Sequence, residues 1–326
     1  MTFVLQALMI KKYSGVIMNK HTTNEIVMVK PSRFTYNAET AINNKYQNPC
    51  NENILDVQAR ALIEFNGLVS KLKDKGVKVN VLEDTSNPLT PDSIFPNNWF
   101  STHEGGNLVL YPMFAKNRRE EVNKFSNRII DIMKKRQMKK GRGLKIYDYL
   151  AFMEDEKFLE GTGSMVIDRK NRTAYCSLSP RADKDLFLKF CEDTNHKPVY
   201  FNAFQDGAPI YHTNVMMGIG EENAIVCLES IDEEDREKVR YELKHANKNI
   251  IEITLDQVKK FLGNTLELKG EDGKNFTAMS DSAYYSLTDY QKKQILENTD
   301  ILHSNINTIE YFGGGSVRCM LAEVFN

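Results

Sequence analysis

Apolar residues return at helical spacing in five stretches of the chain, roughly Ile54–Lys75, Arg118–Gln137, Lys184–Asn195, Glu233–Asn247 and Asp289–Asn298. In the first, Leu55, Ala59, Leu62, Ile63, Phe65, Leu68, Val69 and Leu72 fall mainly on one stripe. A short β-rich run follows each helix: Val77–Leu82, Leu144–Tyr149, Pro198–Phe201, Ile250–Ile253 and Thr308–Phe312. One or two more such runs precede each helix, for example Ser164–Asp168 with Ala174–Ser177, or Val215–Ile219 with Ala224–Leu228. The pattern predicts a ββαβ unit returning five times, at a spacing of about 50–65 residues. The last run, Met320–Phe325, has no helix after it and can complete a unit with Ile26–Lys30 from the opposite end of the chain. Five units closed in this way make one α/β domain, and no Pro- or Ser-rich linker marks a boundary. An open sheet split into two domains would need parallel crossover topology instead.

Composition narrows the partners. Of 326 residues, 41% are hydrophobic and 27% charged, the balance of a globular protein large enough to bury a core without staples. The 43 Lys+Arg against 44 Asp+Glu leave no basic excess for a nucleic acid to find. The runs Lys134-Lys135-Arg136 and Lys139-Lys140 read as a solvated helix end. Five scattered cysteines form no CxxC pair, which points to a reducing cytosol with at most one functional thiol. The six histidines form no zinc-type spacing, so neither a metal nor an organic cofactor is expected. Thr2–Ile10 is apolar, but Lys11 and Lys12 follow where a signal peptide would continue toward a small-residue cleavage site. Residues 1–22 are therefore expected to be an N-terminal extension, with Met18 as an alternative start, and residues 23–326 the domain of a soluble cytoplasmic protein.

Four segments cluster polar, small and aromatic residues beside strand ends, where loops of α/β proteins build ligand sites. They are Asp92–His103 (DSIFPNNWFSTH), Phe158–Met165 (FLEGTGSM), Tyr211–Met216 (YHTNVM) and Gly313–Met320 (GGGSVRCM). Cys319 follows three glycines that permit close approach of backbone to a ligand. A thiol there is a candidate nucleophile if its surroundings favour the thiolate, and equally a small buried hydrophobe. His212 is the matching candidate base, against the reading of a satisfied structural histidine. Glu160, between Leu159 and Gly161, is either enclosed or a solvated loop residue.

A Cys near the C-terminus after a Gly-rich loop, a His about 100 residues upstream and a Glu-Gly about 50 before that resemble the guanidino-group-modifying (pentein) superfamily. This superfamily holds arginine deiminases, dimethylarginine dimethylaminohydrolases and amidinotransferases. FPNNWFSTH, LEGTGS, YHTNV and GGGSVRC look most like its citrulline-utilisation hydrolase or amidinotransferase-like branch, and the resemblance runs from about Ile26 to Phe325. It implies a five-bladed α/β propeller of ββαβ units in a single domain. It also implies Cys319 as nucleophile, His212 as acid and base, and Glu160 as the carboxylate that orients His212 or holds a substrate nitrogen. Family arginines that hold the substrate's α-carboxylate correspond here to Arg181 of Ser179-Pro180-Arg181 and to Arg118 or Arg119 at a helix start.

The departures bear on the substrate. Arginine deiminases carry Phe-Thr-Arg-Asp where this chain has Phe95-Pro96-Asn97-Asn98, and His-x-Asp where it has His212-Thr213-Asn214. A guanidinium is always charged and costly to bury without counter-charge, whereas an Asn offers the donor and acceptor that a neutral ureido group wants. The expected reaction is hydrolysis of citrulline to ornithine, ammonia and carbon dioxide, with Asn97, Asn98 and Asn214 at the ureido end. Asp92, a few residues away, offers a negative charge that would serve a guanidinium instead. The alternatives are arginine deiminase- or dimethylargininase-type hydrolysis, amidino transfer, or a propeller that binds an amino acid without catalysis. A small amino acid is the expected partner, with no nucleic acid or membrane, and a homodimer is left open.

Overall fold

The computed structural model describes residues 20–325. Of the expected extension, residues 1–19, Met18 among them, lie outside the described residues. His21 and Thr22 are described and buried, with His21 Nε2 bonded to the Ile219 carbonyl at 3.0 Å.

Helices occupy Ile54–Asp74, Lys116–Lys139, Lys184–Thr194, Glu233–His245 and Asp289–Leu296, within two residues of the ends expected from periodicity. Their starts are set by side chains that satisfy orphan backbone donors: Asn53 accepts from Leu55 N, Asp183 from Leu186 N, and Thr288 forms a capping box with Gln291. Each helix is the crossover between two parallel strands, a connection that parallel pairing requires.

Among the described residues the strands form five three-stranded sheets and one small hairpin, Phe204–Gln205 with Ala208–Pro209. The central strands, in chain order, are Glu25–Lys30, Asn107–Leu110, Thr173–Ser177, Asn223–Val226 and Asn275–Ser280. Each pairs in parallel with the strand after its helix: Lys78–Glu83, Lys145–Asp148, Lys197–Phe201, Asn249–Glu252 and Asp300–Ser304. On the other side each pairs antiparallel with a short strand: Ala322–Glu323, Phe100–His103, Met165–Asp168, Met217–Ile219 and Leu266–Lys269. The first sheet therefore joins the two ends of the chain, with Ile26 opposite Glu323 and Val27 opposite Ala322. Thr102 of the second sheet fastens the same end, donating to the Glu323 carbonyl (2.9 Å) and accepting from Phe325 N (2.7 Å). The short strands of neighbouring sheets touch one another: Ala322–Glu323 against Phe100–His103, and Met217–Ile219 against both Met165–Asp168 and Leu266–Lys269. Among the described residues no helix is long and apolar enough to cross a membrane.

Two expectations need correction. Thr308–Phe312 is not a strand but part of the helix Asn307–Gly313, and the fifth parallel strand is Asp300–Ser304. The reason is a cap from elsewhere: both oxygens of Glu64 accept the helix-starting N–H groups of Thr308 (2.9 Å) and Ile309 (3.0 Å). Ile309 and Phe312, three apart, then face the core together. On the helix Ile54–Asp74 the buried stripe is Val57, Ala61, Phe65, Leu68, Val69 and Leu72, whereas Leu55 and Ile63 are 75% and 72% exposed.

This displacement of the stripe is testable by urea unfolding. Leu68→Ala, which empties a fully buried position, is expected to cost about 2–5 kcal/mol. Leu55→Ala is expected to stay within about 0.5 kcal/mol of wild type. Equal losses at the two positions would contradict the observed packing.

Candidate active site

A single turn of chain precedes the short strand in four of the five sheets: Pro96–Asn98, Gly161–Ser164, Thr213–Val215 and Val317–Met320. In the fifth sheet the same place is held by Gly263-Asn264-Thr265. The turn Gly161–Ser164 touches both Pro96–Asn98 and Thr213–Val215, and Val317–Met320 touches Pro96–Asn98. Glycine makes this convergence possible. Gly161 has φ +48°, and a Cβ there would stand 2.5 Å from the Asn97 carbonyl. A Cβ on Gly163 would stand 2.3 Å from Asn98 Nδ2 and 2.8 Å from the His212 ring.

The turns enclose a narrow cavity lined by Asp92, Asn98, Arg118, Arg181, His212 and Cys319, with free space for about one water. A larger cavity of about 190 Å³ lies alongside and shares Tyr211 as a wall, but holds no nucleophile and no buried carboxylate.

Glu160 is fully buried and forms the hub of the site. Its Oε1 accepts from Phe114 N at 3.0 Å, and its Oε2 from His212 Nε2 at 2.8 Å and Arg181 Nη1 at 3.3 Å. Burial alone would raise its pKa, but Arg181 and the hydrogen bond from His212 hold the carboxyl well below the usual range. Burial lowers His212 to about 4, with Glu160 pulling in the opposite direction. His212 is therefore neutral at neutral pH, and with Nε2–H directed at Glu160 its Nδ1 is the basic nitrogen.

Cys319 lies at the end of the Gly-rich loop, its sulfur facing two side-chain amides: Asn214 Nδ2 at 3.5 Å and Asn264 Nδ2 at 3.3 Å. Arg118 is held by Glu121 through two hydrogen bonds (2.8 and 2.9 Å), by Asn98 Oδ1 (2.6 Å) and by the Phe95 carbonyl (2.9 Å). Arg181 bonds Glu160, the Thr40 carbonyl and the Asn43 side chain. Asp92 has no such ion pair. Its Oδ2 accepts from Asn37 Nδ2 (2.8 Å) and Thr40 Oγ1 (2.9 Å), and its Oδ1 has no partner. Burial raises its pKa and nearby Arg118 opposes the rise.

Of the residues marked out in the sequence, Cys319, His212, Asp92, Asn98, Arg118 and Arg181 line this cavity, and Glu160 and Asn214 stand behind them, bonded to His212 and to the Cys319 sulfur. Arg119 does not: it donates to the Met113 (3.0 Å) and Phe114 (3.2 Å) carbonyls, with its guanidinium over the Phe158 ring. Asn97 bonds Thr162 and is not a lining residue. His103 ends a strand whose other end follows Asn98, and it bonds Ser101 at 2.7 Å, outside the cavity.

Three groups were not foreseen. The segment Asn37–Gln47, outside every segment marked out in the sequence, supplies Asn37 and Thr40 to Asp92, Asn43 to Arg181, and Gln47 to the Gly313 carbonyl. Glu121, which pairs with Arg118, was not among the residues marked out in the sequence. Asn264 had no motif around it; its signal is position, since it precedes the short strand of the fifth sheet as Asn98, Asn214 and Cys319 precede theirs.

A family model described as N,N dimethylarginine dimethylhydrolase, eukaryotic, matches residues 30–326. No curated protein matches the sequence. Among solved structures, the N-terminal domain of ArgZ, an arginine dihydrolase from the ornithine-ammonia cycle in cyanobacteria, was captured with substrate as a Cys-to-Ser mutant. It shares 16% identity at TM-score 0.72, over 93% of this chain and 98% of that one. The full ArgZ chain gives TM-score 0.72 at 17% identity, and only 40% of its length is covered. A dimethylarginine dimethylaminohydrolase bearing an S-methyl-L-thiocitrulline adduct shares 13% identity at TM-score 0.60, over 93% of this chain and all of that one. At these identities the likeness is one of fold.

The buried neutral His212 should register in stability. Its folded pKa, about 4, lies below the ordinary 6.5, so its contribution is complete above pH 6.5 and is lost as pH falls toward 4. The loss should reach about 3 kcal/mol in urea unfolding. His212→Asn should lack this component while keeping the acid sensitivity contributed by carboxylates. Parallel stability profiles for the two proteins would refute the assignment.

Proposed function

The chain belongs to the N,N dimethylarginine dimethylhydrolase family, and from that premise we propose that it is a cysteine-dependent hydrolase of a guanidino amino acid, arginine or a methylated arginine. We also infer that its five ββαβ units, over residues 23–326, close around the cavity as a five-bladed α/β propeller. The contacts between neighbouring sheets and the pairing of the chain ends support that arrangement.

The observation that carries the substrate class is Asp92. Three buried carboxylates, Asp92, Glu121 and Glu160, face two guanidiniums, Arg118 and Arg181. Arg118 pairs with Glu121 and Arg181 with Glu160, so Asp92 is the carboxyl left without a cation, with one oxygen unpartnered at the wall of the cavity. A buried carboxylate in this position wants a cation, and a guanidinium supplies both charge and N–H donors. For this reason arginine-type hydrolysis takes precedence over the citrulline expected from Asn98 and Asn214, and the known activities of the structural relatives point the same way.

In the proposed reaction the guanidinium docks on Asp92, and Cys319 gives its proton to neutral His212 as its sulfur attacks the guanidino carbon. His212 passes that proton to the departing nitrogen, which leaves as ammonia or an alkylamine. Sulfur is now bonded to the carbon in a thiouronium-like intermediate. A water enters, His212 takes its proton, and the hydroxide adds to the carbon. The C–S bond breaks, the proton on His212 returns to the sulfur, the added hydroxyl loses its own proton to solvent as the carbonyl forms, and a ureido amino acid is released. Glu160 holds His212 in position throughout, and its negative charge steadies the imidazolium formed within each half.

A second reading stays open on a separate observation. Asn98 Nδ2 and Asn214 Oδ1 are both buried without partners, a donor and an acceptor that match the C=O and NH2 of a ureido group.

Mass-spectrometric product analysis over arginine, methylarginines and citrulline decides between the readings. Cys319→Ser should abolish turnover of whichever compound is consumed; retention within tenfold of wild type would remove Cys319 from the mechanism. In that inactive background, calorimetry should find arginine bound more tightly than citrulline. Adding Asp92→Asn should weaken arginine by about 1.5–3 kcal/mol and leave citrulline nearly unchanged. Arginine affinity should also fall as acid protonates Asp92, whose carboxyl burial already pushes upward. Tighter citrulline binding in the Cys319→Ser protein would install the ureido reading instead.

A further inference from the structure

The sulfur of Cys319 is bracketed by carboxamides from two different sheets. Asn214 stands in the turn before Met217–Ile219, and Asn264 in the turn before Leu266–Lys269. Both are buried. Asn264 is held tightly. Its Nδ2 also donates to the Asn214 carbonyl at 2.9 Å, and its backbone N–H donates to Phe261 O at 2.9 Å. The preceding Gly263 lies so close to Val215 and Met216 that a Cβ there would stand 2.5 Å from the Val215 carbonyl. The two turns are thus pressed together, and their amide groups have little freedom to turn away from the sulfur.

The contacts distinguish thiol from thiolate. A thiol has one proton to donate, and only the 3.6 Å contact to Asn264 Oδ1 receives it. A thiolate accepts, and two N–H donors already face it at 3.3 and 3.5 Å. Hydrogen bonds to an ionised group are the stronger kind. The same donors matter twice in a thiol-based hydrolysis, because the sulfur carries negative charge when it attacks and again when it leaves the carbon.

We propose that Asn264, together with Asn214, forms an amide cradle that stabilises the Cys319 thiolate as nucleophile and as leaving group, which makes Asn264 a catalytic residue. Asn214 Oδ1 is buried without a partner and remains free to meet a substrate, whereas both side-chain polar atoms of Asn264 already face the sulfur. The proposal rests on the reading of Cys319 as nucleophile, and not on which guanidino or ureido compound is consumed.

The test uses the full chain and needs no substrate for its main arm. Wild type, Asn264→Leu and Asn264→Asp are treated with iodoacetamide at neutral pH, and modification at Cys319 is followed by mass spectrometry, with the buried Cys176, Cys191 and Cys227 as internal references. Loss of one hydrogen bond to the sulfur as it becomes charged should slow alkylation of Cys319 about tenfold to a hundredfold in both variants. On a consumed substrate, kcat should fall similarly with KM within about twofold of wild type, since Asn264 does not face the substrate end of the cavity. Asn264→Asp keeps the side-chain shape, so a failure of Asn264→Leu to fold leaves the question answerable. Alkylation at the wild-type rate in a folded variant overturns the cradle, as does a change confined to KM. If wild type consumes none of the offered compounds while the variants still lose Cys319 reactivity, the cradle stands and the substrate reading falls.

Discussion

A carboxylate removed from water must recover through hydrogen bonds and neighbouring charge what it loses in hydration, and Glu160 does so with partners from three distant parts of the chain. Phe114 N, Arg181 and His212 each lose their footing if it is absent. Arg181 in turn carries Asn43 and the Thr40 carbonyl, and Thr40 reaches Asp92. The Asn37–Gln47 segment, the orientation of the imidazole and the charge at the wall of the cavity are therefore links of one network. Networks of this kind behave as units, and the effect of removing one member exceeds the strength of its single bond.

The fold delivers these groups by repetition. Every sheet has a short antiparallel strand, and the turn just before it brings one or two polar side chains to the same point. Asn98, Glu160, His212 with Asn214, Asn264 and Cys319 are the contributions of five units whose sequences share no motif. The scaffold fixes positions, and each unit fills its position differently, which lets one architecture hold a carboxylate–imidazole pair, a thiol and two carboxamides together.

Much of this was legible in the sequence, because it rests on local signals. Helix periodicity placed five helices to within two residues, and Gly-rich and aromatic-polar clusters placed Cys319, His212, Glu160 and Asn98. What stayed hidden depends on distant partners. Thr308–Phe312 has the composition of a strand and becomes a helix because Glu64, 244 residues away, caps it. Arg119 and Arg118 are neighbours in sequence, but only Arg118 faces Glu121 and Asp92. Asn37–Gln47 has no apolar period to betray that it packs over the site, and Asp92's lack of a cation is visible only once each arginine's partner is known.

The Cys319 segment is anchored by contacts that span almost the whole chain. Thr23 donates to the Val324 carbonyl 301 residues away, and Ala322–Glu323 pairs with the strand Glu25–Lys30. Contacts of such separation form late in folding, because a long loop must close before they return any energy. Until they form, the Cys319 thiol lies apart from His212 and from its amide donors. Assembly of the site is thereby coupled to completion of the fold: an incompletely closed molecule lacks the groups that surround Cys319, and reactivity at Cys319 would serve as a reporter of closure.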